Sequence, residues 1–98
     1  MYLVKFGKKA EKDKKLLKGA GLDGKAKLLL NIIRQQPFQN PPPYEALVGN
    51  LDGYYSRRIN LQHRLVYEVR IGKVIENDVE YEGIVKVERM WTHYDNVR

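Results

Sequence analysis

The fold of this chain is decided by residues 50–67, which read NLDGYYSRRINLQHRLVY. Asp52-Gly53 is a turn dipeptide, because glycine accepts a positive φ and aspartate hydrogen-bonds its own backbone. The segments before and after residues 60–62 are rich in aromatic and β-branched residues, a composition that favours strands. The stretch therefore predicts a β-hairpin at the centre of a small sheet.

This hairpin carries three arginines within eight residues, namely Arg57, Arg58 and Arg64. Guanidinium groups held on rigid strands form a receptor for phosphate. Because side chains alternate between the two faces of a strand, Arg57 and Arg58 point to opposite faces and at most one of them joins a common site. The hairpin therefore predicts phosphodiester chemistry or phosphate recognition.

The segments around the hairpin predict the remaining elements in the order β-α-α-β-β-β. Before the hairpin, we expect a first strand over 2–6, helices over 8–20 and from residue 22 onward, and a stiff proline-rich crossover at 37–43. After it, we expect a strand extension or a bulge at Gly72, an acidic turn-like tip at 76–83 and a last strand over 84–91. The expected architecture is α+β, with both helices packed on one face of a small antiparallel sheet. Residues 1–98 make a single domain.

The charge is unevenly distributed along the chain. Residues 1–36 hold ten basic and three acidic residues, a net charge of +7, whereas residues 37–98 hold eight basic and nine acidic residues, a net charge of −1. Such a basic half indicates a polyanion such as RNA or an acidic protein as partner, or else an ordinary lysine-coated helical surface. The chain contains no cysteine and no apolar run of the length that a membrane span needs, which favours a cytoplasmic domain without membrane contact.

Three residues match the needs of metal-free RNA cleavage, which requires a base for the 2′-OH, a cation for the phosphorane and an acid for the 5′-oxygen. Glu45 is the candidate base, Arg64 the candidate cation and His93 the candidate acid. Read singly, Glu45 lies in an exposed loop and is more readily a solvated carboxylate than a base. Arg64 is equally a member of a structural ion pair, with Glu68 as a candidate partner, or a phosphate-binding cation. Two histidines thirty residues apart without cysteine match no recognised metal-ligand pattern, so we expect neither metal nor cofactor.

Several of these segments together resemble the Txe/YoeB family of toxin–antitoxin toxins. The resemblance lies in NLxGxYSRRI at residues 50–59, HRLVY at residues 63–67, PxExL at residues 43–47 and the closing His93-Tyr94. It implies a RelE-superfamily, microbial-ribonuclease-like fold and an endoribonuclease that cuts mRNA in the ribosomal A site. It also implies an antitoxin of the YefM/Axe type that holds the enzyme inactive, with operator DNA bound only by the toxin–antitoxin complex.

The resemblance also implies roles for individual residues. Glu45 matches the general base, Arg64 the phosphate-stabilising arginine, His93 the general acid and Tyr94 the neighbouring aromatic residue that positions RNA. We further predict RNA contacts through basic and aromatic side chains of the hairpin and the first helix: Arg57, Arg58, Tyr55, Lys8, Lys9 and Lys12. The ribosome and mRNA are the expected targets, and a homodimer is compatible with the sequence.

The chain departs from the family pattern at three places. Val48 stands where some members have a lysine, residues 72–83 make a longer hairpin than usual, and residues 95–98 extend past Tyr94. Val48 and the longer hairpin support a second hypothesis, a non-catalytic homologue that binds antitoxin or RNA without cutting. A free-standing ribonuclease that cleaves naked RNA is a third hypothesis, which the absence of a signal peptide disfavours.

Overall fold

The structure is a computed structural model that describes residues 1–91. Its elements are, in chain order, β1 (Leu3–Phe6), α1 (Lys8–Gly19), α2 (Asp23–Gln35), β2 (Glu45–Ala46), β3 (Tyr54–Arg58), β4 (Arg64–Glu76) and β5 (Val79–Arg89). A 3-10 turn at Gly49–Leu51 connects β2 to β3. The predicted order of helices and strands is confirmed, and the short strand β2 is an addition to it.

The strands form one sheet in the order β1-β5-β4-β3-β2. Neighbouring strands run antiparallel except at one edge, where β1 runs parallel to β5. The prediction of a wholly antiparallel sheet is therefore wrong, and the sheet is mixed. Val4 and Phe6 of β1 pack against the hydrophobic core. β1 is therefore placed beside β5 by the packing of these partly buried side chains against the core, and not by a hairpin connection.

Both helices cover the same face of the sheet, as predicted. Their apolar stripes meet the inward-facing strand residues in one core cluster, formed by Ala10, Leu17, Ala26, Leu29, Ile33, Ile59, Leu65, Tyr67, Val85, Val87 and Met90. The longer helix, α2, has 13 residues, and no helix within residues 1–91 is long and apolar enough to cross a membrane. The other face of the sheet is left without a helical layer in the described part of the chain, and it carries the candidate site.

The hairpin of β4 and β5 is longer than the sequence predicted. Its turn consists only of Asn77 and Asp78, whose φ angles of 52° and 65° suit a two-residue hairpin turn. The prediction of a turn-like tip over residues 76–83 is therefore wrong, because most of those residues belong to strands. The predicted irregularity at Gly72 is confirmed, since the pairing register shifts between Ile71 and Val74 and Gly72 has a φ of 145°.

The same hairpin must bend within the molecule. β4 has 13 residues, which would span about 43 Å in a straight strand. Lys5 of β1 lies level with Lys86 and Glu68 in the paired strands, so in a straight strand it would be separated from Glu76 by eight residues, or about 26 Å. Near the tip, Glu76 Oε1 lies 3.3 Å from Nζ of Lys5 in β1. The bulge at Gly72 therefore accompanies a curved hairpin whose tip contacts the sheet edge through this ion pair.

A buried ion pair joins α1 to the end of β5. Asp13 is only 3% exposed and accepts a 2.9 Å hydrogen bond from Arg89 Nε. The same carboxylate accepts a 2.9 Å hydrogen bond from the backbone N–H of Met90. Asp13 thus attaches the chain just before Trp91 to the helical layer.

Candidate active site

An open cleft of about 360 Å³ lies on the sheet face opposite the helices. It is lined by Pro43, Tyr44, Glu45, Ser56, Arg58 and Arg64. Strand pairing explains this grouping, because Glu45 lies opposite Ser56 and Arg58 lies opposite Arg64. Residues directly opposite each other share a face, whereas their chain neighbours in the core point to the helices. The two candidates Glu45 and Arg64 are therefore brought together by the sheet.

The carboxylate of Glu45 and the guanidinium of Arg64 face each other in this cleft. Glu45 Oε2 and Arg64 Nη1 are 3.6 Å apart, and Arg64 Nη1 also donates a 3.4 Å hydrogen bond to Ser56 Oγ. The Arg64 side chain is 19% exposed and the Glu45 side chain 53% exposed. An accessible proton acceptor thus lies beside a half-buried cation, which is the arrangement that proton removal next to a phosphate requires. Ser56 was not singled out from the sequence, although it lies in the SRR motif.

The two adjacent arginines of β3 lie on opposite faces, as the alternation predicted. Arg58 is exposed and lines the cleft beside Arg64. Arg57 is 0% exposed and points into the interior. The expectation that Arg57 binds RNA is therefore corrected, because its guanidinium is enclosed by the protein and bonded to backbone carbonyls.

Tyr55 also lies away from the cleft. It pairs across the sheet with Tyr67, on the face opposite Glu45 and Ser56. Its ring centroid lies 5.0 Å from that of Phe38 and 5.8 Å from that of Tyr67. Aromatic packing beneath the proline-rich loop thus holds the ring of Tyr55 on the face opposite the cleft. Its contact with RNA stays a prediction.

The buried hydroxyl of Tyr67 belongs to the same cluster. Burial raises the pKa of Tyr67 above its ordinary value of 10.0, and the nearby Arg57 guanidinium opposes part of this rise. Tyr67 Oη donates a 2.8 Å hydrogen bond to the carbonyl of Pro37 and accepts one of 3.1 Å from Arg57 Nε. The phenol is thus held neutral as both donor and acceptor.

This raised pKa makes the protein sensitive to alkaline pH. The unfolded chain releases the Tyr67 proton near pH 10.0 and the folded chain releases it at higher pH, so the contribution of this group to stability is complete below 10.0 and falls as pH rises above it. We expect the unfolding free energy of a Tyr67→Phe variant to decline less steeply above pH 10.0 than that of the wild type. Urea unfolding at several pH values measures both slopes, and equal slopes would contradict the prediction.

The three predicted RNA-binding lysines lie together on one helix. Lys8, Lys9 and Lys12 are exposed on α1. Because α1 packs on the face of the sheet opposite the cleft, these lysines form a basic surface separate from Glu45 and Arg64. Their contact with RNA stays a prediction.

His93 and Tyr94 lie outside the described residues, so their predicted roles stay predictions. The described chain ends beside the cleft strands, because Arg89 of β5 pairs with Val66 of β4. The ring of Trp91 stacks on that of His63, with centroids 4.0 Å apart and planes inclined by 17°. His63 immediately precedes Arg64, which lines the cleft. Trp91, at the end of the described chain, therefore lies near the cleft.

His63 lies in the turn between β3 and β4 and is also a packing residue. It is 7% exposed, and its buried Nδ1 has no hydrogen-bond partner among residues 1–91. The backbone N–H of His63 donates a 2.7 Å hydrogen bond to Asn60 Oδ1, which closes the turn. The stack with Trp91 was missed because residues 63 and 91 are far apart in sequence.

Two further observations bear on the chemistry of the site. Val48, which the sequence analysis noted as a departure from the family pattern, is 82% exposed and does not line the cleft. Within residues 1–91, no three histidine, cysteine, aspartate or glutamate side chains form a group that could hold a metal ion.

Comparison with known proteins decides the family. The sequence model of the family described as "YoeB-like toxin of bacterial type II toxin-antitoxin system" matches residues 6–94. The chain belongs to this family. The matched range includes Glu45 and Arg64 of the cleft and also His93 and Tyr94. The resemblance read from the sequence motifs is confirmed.

Curated relatives match 60% of the chain. It is 46% identical over 59 residues to Toxin YoeB of Synechocystis sp., an alignment that covers 60% of this chain and 62% of that protein. It is 41% identical over 59 residues to Toxin YoeB of Escherichia coli K12, covering 60% and 63% of the two chains. These alignments span less than two thirds of the length of either relative.

Solved structures of YoeB toxins share the fold over nearly the whole chain. The YoeB dimer from Staphylococcus aureus has a TM-score of 0.73 at 30% identity and covers 95% of this chain and 98% of that one. The YoeB-YefM complex from Staphylococcus aureus has a TM-score of 0.69 at 29% identity, covering 96% and 99%. The YoeB/ParE toxin from Agrobacterium tumefaciens, at 24% identity, has a TM-score of 0.77 and covers 94% and 99%. The predicted RelE-like α+β fold is confirmed.

Proposed function

We propose that this chain is an endoribonuclease that cleaves mRNA in the ribosomal A site and so inhibits translation. The observation that carries the proposal is the pair formed by Glu45 and Arg64, whose charged groups lie 3.6 Å apart in an open cleft. Membership of the YoeB-like toxin family supports the same activity. Arg58 adds a second cation to the cleft, which favours the binding of a phosphodiester.

The proposed reaction is general acid–base catalysis of phosphodiester cleavage. Glu45 removes the 2′-OH proton, the 2′-oxygen attacks phosphorus, and a 2′,3′-cyclic phosphate forms as the bond to the 5′-oxygen breaks. Arg64 stabilises the negative charge of the phosphorane. His93 donates a proton to the departing 5′-oxygen, and Tyr94 positions the RNA. The proton taken by Glu45 and the proton given by His93 balance the reaction.

The proposed partners follow from the family. One solved YoeB relative from Staphylococcus aureus is a complex with YefM, and another is a dimer. We therefore propose that a YefM-type antitoxin neutralises this chain in the cytoplasm, that operator DNA is bound only by the toxin–antitoxin complex, and that the chain is able to form a homodimer.

The lysines of α1 are proposed to bind ribosomal RNA. Replacing Lys8, Lys9 and Lys12 by glutamine should weaken ribosome binding. It should also lower the slope of log K against log[salt] by about 2 to 3 in magnitude, because fewer phosphate contacts release fewer counterions on binding. Ribosome binding measured at several salt concentrations tests this expectation. A control variant replaces three lysines that already pair with glutamates, Lys5, Lys73 and Lys86, and should leave the salt slope unchanged. Equal slopes for wild type and the α1 variant would contradict the role of these lysines.

Cleavage of mRNA by the purified protein tests the proposed activity. The assay compares a translating extract with the same RNA free of ribosomes. Cuts confined to ribosome-bound message support a ribosome-dependent enzyme, whereas cleavage of naked RNA supports a free-standing ribonuclease. If the folded, antitoxin-free protein cleaves neither RNA, both the ribosome-dependent enzyme and the free-standing ribonuclease are overturned.

One observation favours a second candidate function, a non-catalytic module that binds antitoxin or RNA. Val48 replaces a lysine found in some family members and is 82% exposed. If the wild type does not cut, a Val48→Lys variant tests whether the missing cation is the cause. Cleavage gained by that variant would support the binding-module function for the natural chain.

A further inference from the structure

Arg57 makes an unusual set of contacts for a fully buried arginine. Its Nη1 donates a 2.6 Å hydrogen bond to the carbonyl of Pro42, and its Nη2 donates to the carbonyls of Gln39 at 2.8 Å and Pro37 at 3.1 Å. Its Nε donates a 3.1 Å hydrogen bond to Tyr67 Oη. All three guanidinium nitrogens therefore bond to the proline-rich loop or to the tyrosine that also binds it.

No carboxylate pairs with Arg57 among the described residues. Burying a guanidinium without a counter-ion is costly, and only well-directed hydrogen bonds offset that cost. The bonds here go to three carbonyls of one loop, which otherwise has few backbone bonds of its own. The hydrogen bonds of the buried guanidinium therefore hold residues 37–42 in one backbone path.

The loop fixed by Arg57 leads directly into the cleft. Pro43, Tyr44 and Glu45 follow Pro42 without interruption and line one wall of the cleft. Glu45 lies on β2, which has only two residues and pairs with β3 alone. Such a short edge strand gives the carboxylate little support, so its distance from Arg64 depends on how the preceding loop is held.

We propose that Arg57 is a positioning residue for Glu45, acting from the opposite face of the sheet through the proline-rich loop. This inference rests on the proposed ribonuclease function, in which Glu45 is the base. The planar guanidinium reaches four acceptors at once, whereas a lysine ammonium offers only three donors from a single nitrogen. An Arg57→Lys variant therefore keeps the charge and releases the loop.

A double-mutant cycle tests this positioning role. Arg57→Lys should lower kcat for ribosome-dependent cleavage about 100-fold, because a misplacement of about 1 Å in a catalytic group has an effect of that order. KM should stay nearly unchanged. In a Glu45→Ala background, the Arg57→Lys change should have no further effect on kcat, because its effect passes through Glu45. The neighbouring Arg58→Lys change is the matched control. Its effect on kcat should add to that of Glu45→Ala, since Arg58 faces the cleft directly.

Amide hydrogen exchange gives a readout that does not depend on activity. The backbone N–H of Leu47, just after β2, donates a 2.9 Å hydrogen bond to the carbonyl of Tyr54. Arg57→Lys should accelerate exchange at residues 44–47 and leave the β4–β5 pairs unchanged. If Arg57→Lys fails to fold, Tyr67→Phe removes one bond to Pro37 and one to Arg57 and should produce the same pattern to a smaller degree.

The possible results separate the two proposals. Additive effects of Arg57→Lys and Glu45→Ala, unchanged exchange at residues 44–47, or a loss of ribosome binding would each overturn the positioning role. An inactive wild type would overturn the proposed function. In that case the exchange measurement alone decides whether Arg57 fixes the path of the loop and of β2.

Discussion

Replacing Arg64 with alanine is expected to lower ribosome-dependent cleavage by about 100- to 1,000-fold while the protein stays folded. Arg64 Nη1 lies 3.6 Å from Glu45 Oε2 and donates a hydrogen bond to Ser56 Oγ. In the proposed reaction its guanidinium lies where charge develops on the phosphodiester. Its loss removes transition-state stabilisation, and kcat should therefore fall more than ribosome affinity. Growth arrest on expression should disappear for the same reason. Cleavage kinetics in a translating extract measure the effect.

Arg70→Ala is the matched control for this experiment. Arg70 lies on the same strand, β4, but outside the cleft, where its Nη2 is 3.2 Å from Glu68 Oε1. The change removes the same charge from an exposed position, and we expect cleavage to stay within about threefold of the wild type, since exposed ion pairs contribute little. An Arg64→Ala protein as active as Arg70→Ala would exclude Arg64 from the site.

Replacing Asp13 with alanine is expected to lower the free energy of unfolding by about 3 kcal/mol. A loss of this size is typical when one partner of a buried ion pair is removed. Asp13 is 3% exposed, and its carboxylate binds both the Arg89 guanidinium and the Met90 backbone N–H. The alanine variant removes the acceptor of the buried Met90 N–H and the carboxylate that pairs with the Arg89 guanidinium. Urea unfolding followed by circular dichroism measures the change.

Glu11→Gln provides the comparison on the same helix. Glu11 pairs with Lys14 at 2.9 Å, but both side chains are exposed, at 57% and 41%. Because solvent screens this pair, its removal should change the unfolding free energy by less than about 0.5 kcal/mol. A similar small change for Asp13→Ala would show that the link between α1 and the end of β5 contributes little to stability.

The arrangement of helices and strands could be predicted because it depends on local patterns. The run of prolines ends the helical half, and the alternation in the central stretch predicts β3 and β4. Two features depend on packing between distant segments and were not predicted. β1 pairs in parallel with β5, where Val4 and Phe6 pack partly buried against the core. The hairpin of β4 and β5 keeps its strand pairing through residues that were expected to form a turn.

The candidate site could be predicted in part. Glu45 and Arg64 were chosen from the chemistry they offer, and sheet pairing brings them to the same cleft. Arg57 and Tyr55 were expected to bind RNA, but the structure places both on the other face of the sheet. Residue type alone does not distinguish an arginine that binds phosphate from one that binds backbone carbonyls, because both use the same donors.

The sequence by itself determined the family, the central hairpin and the residues able to act as base and cation, because motifs and alternation are local properties of the chain. Only the tertiary structure decided which of the two adjacent arginines faces the cleft and which lies inside. Alternation requires them to point in opposite directions, but it does not say which direction is inward. That choice follows from where the helices and the proline-rich loop pack, and these segments lie far from β3 in sequence.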